Sequence, residues 1–383
     1  MCIRDSFEPG TIQRRGATIQ EVRDSTRLLD ALGGVTNITP FFTPQDVAGP
    51  LMSLAMYRYA LPHTTKPLQG PGIQTAEEVR YAVRMAEVVG PPDRVLSLSV
   101  SPISPLYFPD DIAESIVEIA SQGVPFAPLP CPTAGATSPL SLAGALAQQN
   151  AELLGCIVLA QVTRPGLPIV YCGRLSAMEP RTGLSVWGGV ELGLLSAATV
   201  QIGHRYGLPV NVYGFSTNAN MLDFQSGYER SLNAIMPAMA GADELSGVGE
   251  MSAGVMGSYA QMVCDDEIIG SVGRLRRGFA VDDDSLAVDL IGQVMDGTRN
   301  FLDQMHTVRY LRAGELFLPG LAGRRSWDEW DTDGRQLMID RAQAKAERIL
   351  AEHEVAPLTR DQERELDGIM HQAEAALLAG SPD

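Results

Sequence analysis

Apolar residues along the chain follow two alternating patterns: a helical spacing of about 3.6 residues and short continuous runs rich in β-branched residues. The helical spacing, with capping residues at its starts, predicts helices over 18–32, 44–59, 75–89, 109–121, 138–162, 189–206, 222–239 and 258–277. The short runs predict strands over 35–42, 60–66, 94–100, 124–129, 168–171, 208–213 and 243–248. About seven strand–helix units therefore follow an initial helix that has no strand before it.

Strict alternation of strand and helix predicts a parallel sheet, and two architectures fit it: a doubly wound open sheet and an eight-stranded barrel. A dinucleotide-binding open sheet begins with a strand, a GxGxxG turn and a helix, and no predicted strand here is followed by that motif. Restoring one strand before the initial helix gives eight units. We therefore predict an α/β fold of the TIM-type (β/α)8 barrel class whose first strand is missing or disordered.

The two ends of the chain differ from this repeating middle. Residues 1–6 (MCIRDS) do not resemble the start of a domain, and we interpret them as a non-native scar. The barrel is predicted over 7–322. A charged, helix-forming C-terminal extension follows over 323–383; Pro357 interrupts it, and Thr359-Arg-Asp-Gln362 is typical of a capping box that opens a last helix.

Composition narrows the class of protein. The 383 residues are 45% hydrophobic and 20% charged, which is enough apolar material for a core and excludes a disordered chain. The net charge of −17 argues against sequence-independent nucleic-acid binding and against docking on anionic membranes. The sequence contains no apolar run of about 20 residues and therefore predicts no transmembrane helix. Five cysteines without CxxC spacing indicate a reducing, cytoplasmic location and no zinc site.

The loops after the predicted strands are the expected place for chemistry in a barrel of this kind. They are rich in Ser, Thr, Gly and Pro and poor in carboxylates and histidines, which argues against glycosidase and metal-dependent amidohydrolase chemistry. Asp223 and Gln225 stand out as polar neighbours at the junction of a loop and a helix. Some aromatic residues at strand ends are placed where they could converge as a cage for a cation.

Three other residue types have a structural interpretation beside the functional one. Lys66 could form a Schiff base, although a lysine followed by proline is more often structural. His63 and His306 are possible bases, but isolated histidines are more often structural. Cys172 has no histidine partner nearby in sequence, which favours a buried small apolar residue.

Several segments, in order along almost the whole chain, resemble the trimethylamine methyltransferase family. The most specific are residues 134–145 (AGATSPLSLAGA) and 223–229 (DFQSGYE), and the others are 14–18, 64–67, 104–106, 149–152, 265–268, 306–307 and 327–330. The family has a TIM-type barrel and transfers a methyl group from an amine to Co(I) of a separate corrinoid protein. Full-length members have a further N-terminal region, so the resemblance implies a chain truncated at its amino terminus.

The resemblance also implies a substrate class and a partner. In methylamine-specific members a pyrrolysine falls at about residues 222–225, where this chain has only standard residues, Leu-Asp-Phe-Gln. Members without pyrrolysine act on quaternary amines such as glycine betaine, and a quaternary ammonium is already charged, so a neutral amine can leave. The implied corrinoid (cobalamin) is carried by a partner protein and is not bound directly. A homo-oligomer is compatible with this interpretation.

Site roles follow from that chemistry, since a quaternary cation binds on aromatic faces and must be aligned with its acceptor. Asp223 and Gln225 are predicted to orient the ammonium or the attacking cobalt face. The other predicted residues are Tyr171, Tyr213 and Phe215 around the cation, Thr65, Ser104 and Thr137 as hydrogen-bonding groups, and Lys66 and Arg174 for a betaine carboxylate. Two alternatives stay open: an aldolase-type lyase using Lys66, and a non-catalytic barrel that binds quaternary amines.

Overall fold

The structure is a computed structural model, and it describes residues 4–7, 13–70, 72–297 and 299–379. The fold is α/β. Its helices are α1 (Ile19–Ala31), α2 (Met52–Ala60), α3 (Ala76–Val89), α4 (Pro92–Val95), α5 (Asp110–Gln122), α6 (Leu142–Thr163), α7 (Val190–Arg205), α8 (Phe224–Met239), α9 (Tyr259–Arg277), α10 (Asp283–Leu286), α11 (Val288–Asp296), α12 (Met305–Arg312), α13 (Trp327–Thr332), α14 (Met338–Glu352) and α15 (Arg360–Ala379).

The strands are short. They are β1 (Ser6–Phe7), β2 (Arg14–Arg15), β3 (Leu68–Gln69), β4 (Leu96–Ser97), β5 (Thr133–Ala134), β6 (Tyr171–Gly173), β7 (Ser176–Met178), β8 (Ser185–Val186), β9 (Val210–Tyr213), β10 (Glu244–Ser246), β11 (Glu250–Met251) and β12 (Met256–Gly257). Single-turn 3₁₀ helices lie at Gly49–Leu51, Leu61–His63 and Ser252–Gly254.

Seven segments run parallel, and each is bridged to the one that follows it along the chain. The bridged pairs are Ile38 with Leu68, β3 with β4, Leu98 with Phe126, Phe126 with Ile169, β6 with β9, and β9 with β10. This order has no reversal, whereas a doubly wound sheet reverses its strand order at a switch point. Within the described ranges no backbone bridge joins β10 to the segment at Ile38, but Asn37 Nδ2 donates to Glu244 Oε1 across that gap at 2.9 Å.

Most helices lie where the apolar pattern and the capping residues predict them. The amide of Thr18 donates to the Glu21 carboxylate at 2.7 Å, and Thr75 Oγ1 accepts the amide of Glu78 at 3.2 Å, so both helix starts are satisfied locally. The inner face of α1 then buries Val22 and Leu28 in the main core. These helices are confirmed to within a few residues, because their boundaries depend on local chemistry.

Among the boundaries that are wrong, two lie early in the chain, and one of them matters for the site. The helix predicted from residue 44 begins at Met52, after a 3₁₀ turn that contains Pro50. The strand predicted over 60–66 lies instead at Leu68–Gln69, because α2 continues into the 3₁₀ turn Leu61–His63. Lys66 therefore precedes its strand and lies at the amino end of the sheet.

The C-terminal extension packs on the helical layer. Helix α14 contacts α1 and α9, and α15 contacts α2 and α3. The nearly buried Arg58 of α2 donates to Glu363 at 2.7 Å and to Asp367 at 2.8 Å. The predicted capping box is confirmed, since Thr359 and Gln362 exchange hydrogen bonds at 2.9–3.3 Å.

Helix α6 differs from the expectation of no membrane-spanning segment. By length and composition alone it is the one helix in the described part of the chain that could cross a membrane. It packs between α5 and α7 and contacts β6, with the polar residues Gln149 and Glu152 on its buried side. Its outer side carries the exposed apolar residues Val158 and Val162.

The amino-terminal segment also lies on the fold. Asp5 is bridged to Met256, and β1 pairs with β2 in an antiparallel arrangement. Asp5 and Ser6 are buried. Residues 1–3 of the segment interpreted as a scar lie outside the described residues.

Candidate functional site

A cavity of about 150 Å³ lies among the seven parallel segments. Every segment contributes to its lining through one or more of Asn37, Thr39, Gln69, Ser99, Ala127, Leu129, Cys172, Arg174, Tyr213, Glu244 and Ser246. A cavity of about 150 Å³ in another protein is large enough to bind benzene. This cavity is therefore of a size for a small organic molecule.

A buried carboxylate lies at the end of the cavity towards which the strands run. Glu250 is 2% exposed and follows β10 by four residues. Its Oε2 accepts a hydrogen bond from Ser216 Oγ at 3.2 Å, and its Oε1 accepts one from Tyr213 Oη at 3.4 Å. The Arg4 Nη2 atom lies 3.4 Å from the same Oε1. Glu250 thus presents a negative charge among polar partners beside the cavity.

Two glycines place Glu250. Gly247 and Gly249 adopt φ values of +99° and +83°, which residues with a side chain rarely adopt. A Cβ at Gly249 would also lie 2.4 Å from Met262 Cγ. The tight turn after β10 therefore requires glycine, and it turns the chain back so that Glu250 lines the cavity.

The aromatic ring of Tyr213 forms one wall of the cavity. The Arg174 guanidinium carbon lies 4.4 Å from the ring centroid, and the Trp187 ring meets it edge-on with centroids 5.1 Å apart. Burial, and secondly the nearby Glu250 carboxylate, raise the pKa of Tyr213 well above its usual value, so the phenol is neutral at physiological pH. Its hydroxyl can therefore donate to Glu250.

Arg174 supplies a buried positive charge to the same cavity. Its Nη1 donates to the carbonyls of Gly173 at 3.1 Å and Asn211 at 3.2 Å, and its Nη2 donates to Ser246 Oγ at 2.7 Å. Burial acts to lower the pKa of Arg174, but neighbouring groups, Cys172 and Tyr213 first among them, raise it overall. The cavity therefore has a fixed cation in its wall, and Tyr213 contacts both this cation and Glu250.

A second cation reaches the carboxyl end from the amino-terminal segment. The Arg4 guanidinium carbon lies 4.8 Å from the centroid of Phe41, and its Nε donates to the carbonyl of Gly254 at 3.3 Å. Because Arg4 also pairs with Glu250, a guanidinium of the chain itself lies between an aromatic face and a carboxylate. These are the groups that recognise an organic cation.

The structure brings two of the sequence-predicted site residues, Tyr213 and Arg174, to the cavity. Asp223 and Gln225 lie outside its lining and are exposed. Asp223 is the N-cap of α8 and accepts the Ser226 amide at 3.1 Å, and Gln225 Nε2 donates to Glu229 Oε1 at 2.9 Å. Both side chains therefore act locally at the start of a helix in this structure.

Tyr171 and Phe215 lie on the helix side of the sheet. The Tyr171 hydroxyl donates to Asn150 Oδ1 at 2.8 Å, and its ring packs in a cluster with Val200 and Val210. Phe215 packs with residues of α8 and α9. Successive residues of a strand point to opposite faces, so Cys172 faces the cavity and Tyr171 does not.

Thr65 and Lys66 lie at the amino end of the sheet, because the strand begins after them. The Thr65 amide donates to Asp30 at 2.9 Å, and Lys66 Nζ donates to the carbonyls of Leu29 at 2.9 Å and Leu32 at 2.8 Å. Burial lowers the pKa of Lys66, while Asp30 and Asp266 act in the opposite direction. Lys66 thus caps the carboxyl end of α1 and is not part of the cavity lining.

Ser104 and Thr137 are linked through hydrogen bonds of two α6 side chains, which connect the two loops. Glu152 is fully buried, and its two oxygens accept Ser104 Oγ at 2.8 Å and Gln148 Nε2 at 3.0 Å. The same Gln148 Nε2 donates to the carbonyl of Thr137 at 2.8 Å. Neither Ser104 nor Thr137 lines the cavity.

Of the remaining candidates, Cys172 faces the cavity, whereas His63 and His306 lie outside its lining. Cys172 is buried, as the sequence predicts, and burial raises the pKa of its thiol to about 11. Burial, followed by Arg23 and Arg27, lowers the pKa of His63. Among the residues that the structure describes, no group of three or more His, Cys, Asp or Glu side chains could hold a metal ion.

Sequence reasoning missed Glu250, Glu244 and Arg4, whereas Phe41 belongs to the strand-end aromatics that were candidates for a cation cage. The glycine pair before Glu250 was the available signal, because two glycines directly after a strand predict a turn that redirects the next side chain. The pairing of Arg4 with Glu250 joins residues 246 positions apart and has no local signal.

A family profile and several curated relatives that are similar to this chain point to one family. The sequence profile of the family described as trimethylamine methyltransferase (MTTB) matches residues 9–377. A trimethylamine methyltransferase MttB of Desulfitobacterium hafniense is 29% identical over 96% of this chain and 75% of its own length. The trimethylamine methyltransferase MttB2 of Methanosarcina mazei is 34% identical over 75% of this chain and 57% of its own length.

Two further proteins are similar to the chain. A glycine betaine methyltransferase of Desulfitobacterium hafniense is 29% identical over 89% of this chain and 72% of its own length. The solved monomethylamine methyltransferase (MtmB) of Methanosarcina barkeri superposes with a TM-score of 0.45 at 14% identity, over 93% of this chain and 69% of that chain. The chain spans between about half and three quarters of the length of the curated relatives it matches. The profile match over nearly all residues shows that the chain belongs to the trimethylamine methyltransferase family.

Proposed function

We propose that the protein transfers a methyl group from a quaternary amine of the glycine betaine type to the Co(I) corrinoid of a partner protein. The observation that carries this proposal is the cavity in which Tyr213 lies between a buried carboxylate, Glu250, and a buried guanidinium, Arg174. A betaine carries an ammonium and a carboxylate, so these two charges match its two ends. A relative named for glycine betaine supports the substrate class, and relatives named for trimethylamine support methyl transfer from an amine.

The reaction requires little of the protein beyond binding the substrate and aligning its methyl group. A quaternary ammonium leaves as a neutral amine, so no group has to protonate the leaving nitrogen. Glu250 and the rings of Tyr213 and Phe41 would hold the cation, and Arg174 would hold the carboxylate. Fixing the methyl group in line with its acceptor then lowers the entropic part of the barrier. Residues 222–225 are all standard amino acids, which fits a substrate that needs no special electrophile.

The size of the cavity bears on the corrinoid. A volume of about 150 Å³ suits a molecule near the size of benzene and is too small for a corrin ring. The corrinoid would therefore stay with its partner protein and would supply the Co(I) nucleophile from outside. The residues of this chain would bind the cation, orient it and exclude water.

The strand order supports a TIM-type barrel as the scaffold. Seven parallel segments follow one another without reversal and enclose a single lining to which each contributes. The hydrogen bond between Asn37 and Glu244 links the first segment to the last. In such barrels the catalytic end is the one towards which the strands run, and Glu250 lies at that end.

Methyl transfer is the direct test. The protein is mixed with a cognate corrinoid protein reduced to Co(I) and with glycine betaine, carnitine, proline betaine or trimethylamine, and methylation of cobalt is followed by its absorbance change. We expect turnover with at least one quaternary amine and a loss of tenfold or more in kcat/KM for Glu250→Gln.

The matched control is Glu78→Gln, which alters a carboxylate that is also buried but lies on α3 away from the cavity. This variant should retain wild-type kcat/KM. No cobalt methylation with any quaternary amine would contradict the proposal, and turnover with trimethylamine alone would overturn its substrate class.

A further inference from the structure

A fully buried ion pair lies behind the cavity wall. Arg230 on α8 and Asp265 on α9 are both 0% exposed, and Arg230 Nη1 donates to Asp265 Oδ2 at 2.8 Å. Burial raises the pKa of Asp265 to about 6, although Arg230, the Gly249 amide and Gln261 favour its charged form. The pair lies at a depth where charges are costly to bury.

Asp265 holds the turn that carries Glu250. Its Oδ2 accepts the Gly249 amide at 2.7 Å, one residue before Glu250, and its Oδ1 accepts Gln261 Nε2 at 2.8 Å. Gly249 is in the left-handed region and tightly packed on Met262. The position of the Glu250 backbone is thus set by a contact from α9.

Arg230 holds the segment that carries the hydroxyl partner of Glu250. The same Nη1 donates to the carbonyl of Phe215 at 2.6 Å, one residue before Ser216. Ser216 Oγ donates to Glu250 Oε2 at 3.2 Å. The ion pair therefore contacts the residue before Glu250 and the residue before Ser216. It thus fixes both Glu250 and the hydroxyl group that orients the Glu250 carboxylate.

We infer that Arg230 and Asp265 are positioning residues that hold Glu250 in place to bind the substrate cation. The inference rests on the proposed function of the cavity. Stability alone is a poor reason for such a pair, because buried ion pairs are often no more stabilising than apolar residues of similar volume. The contacts to Gly249 and Phe215 give the pair a specific role at the cavity.

The test uses the double variant Arg230→Met/Asp265→Leu, which removes both charges together and leaves neither unpaired, and the single variant Asp265→Asn, which keeps an acceptor for the Gly249 amide. Two quantities are measured at pH 7: the Kd for tetramethylammonium, and hydrogen exchange of peptides that cover 215–218 and 247–251. A peptide from α3 is the internal reference for global stability. Asp266→Asn is the control, since the neighbouring carboxylate contacts Gly34 on another side of α9.

In the double variant we expect about tenfold weaker tetramethylammonium binding and about tenfold faster exchange in the two loop peptides, with α3 unchanged. Asp265→Asn should show a smaller change and Asp266→Asn none in these peptides. Unchanged loop exchange and unchanged Kd in the double variant would overturn the inference, and so would exchange that accelerates equally in α3. If the double variant does not fold, Asp265→Asn decides by the same two measurements. If the wild-type protein does not bind tetramethylammonium, the proposed function is contradicted. Hydrogen exchange of the two loop peptides then still tests whether Arg230 and Asp265 hold Glu250 in place.

Discussion

The Arg4 guanidinium lies where the proposed substrate cation would bind, so removing it should tighten binding of a quaternary ammonium. A ligand that pairs with Glu250 has to displace Arg4 or share the carboxylate with it. In the variant Arg4→Ala the carboxylate and the Phe41 ring are available without that competition. We therefore expect a lower Kd for tetramethylammonium in Arg4→Ala than in the wild-type protein.

The magnitude follows from the geometry. Two unit charges 3.4 Å apart interact by about 5 kcal/mol at an effective dielectric constant of about 20. The Arg4 side chain is 20% exposed, so water screens part of this energy, and measured exposed ion pairs contribute about 0.2–1 kcal/mol. The contact with Phe41 adds about 0.5–1 kcal/mol. A net gain of about 1–2 kcal/mol corresponds to roughly 5- to 30-fold tighter binding.

The assay is isothermal titration calorimetry with tetramethylammonium chloride at low and high salt. The control is Arg309→Gln, which makes the same change in net charge at an exposed ion pair with Asp284, away from the cavity. It should leave the Kd unchanged. Equal or weaker binding in Arg4→Ala would refute the reasoning, because it would mean that Arg4 does not compete with the ligand.

Three further outcomes are expected. Gly249→Ala should lower the free energy of unfolding, measured by urea denaturation, by clearly more than Gly166→Ala. The two glycines have φ values of +83° and +84°, but a Cβ at Gly166 would meet nothing within 4 Å. Equal losses of stability would show that packing at Gly249 is unimportant. Burial acts to raise the pKa of Asp30, but the hydrogen bonds that its carboxylate accepts hold this pKa below the usual 3.8. The variant Asp30→Asn should therefore be less stable than the wild-type protein at pH 7. The difference in the free energy of unfolding should shrink as the pH falls below about 4. A difference that stays constant with pH would contradict this linkage. Iodoacetamide at pH 8 should modify the exposed Cys131 and not the buried Cys172, whose pKa is raised to about 11, and mass spectrometry of the native protein reports the labelled residue.

Helices could be predicted well from the sequence because their starts are decided within four residues. Thr18 and Thr75 meet acidic residues three positions later, and both pairs form hydrogen bonds at the predicted helix starts. The order of strands and helices follows from the same pattern. The parallel class of the sheet could therefore be derived from local information alone.

The positions of the strands, and the face of the sheet on which each side chain lies, were harder to predict than the helices. Strands of two to four residues show little periodicity. The shift from 60–66 to Leu68–Gln69 moved Lys66 from the expected cavity end to the opposite end of the sheet. Tyr171 and Cys172 differ by one position and face opposite sides. The site depended on such single-residue differences and on Glu250, whose place is set by a turn and by a distant helix.

The edge-on contact between Trp187 and Tyr213 gives the protein an optical probe at its cavity. The chain has three tryptophans, and the other two, Trp327 and Trp330, lie together on the short helix α13 in the C-terminal extension. Indole emission responds to charge and hydration nearby, so a cation that settles beside Tyr213 should shift the Trp187 component of the fluorescence. The variant Trp187→Phe would identify that component by its loss. Occupancy of the cavity can then be followed in real time without labelling the protein.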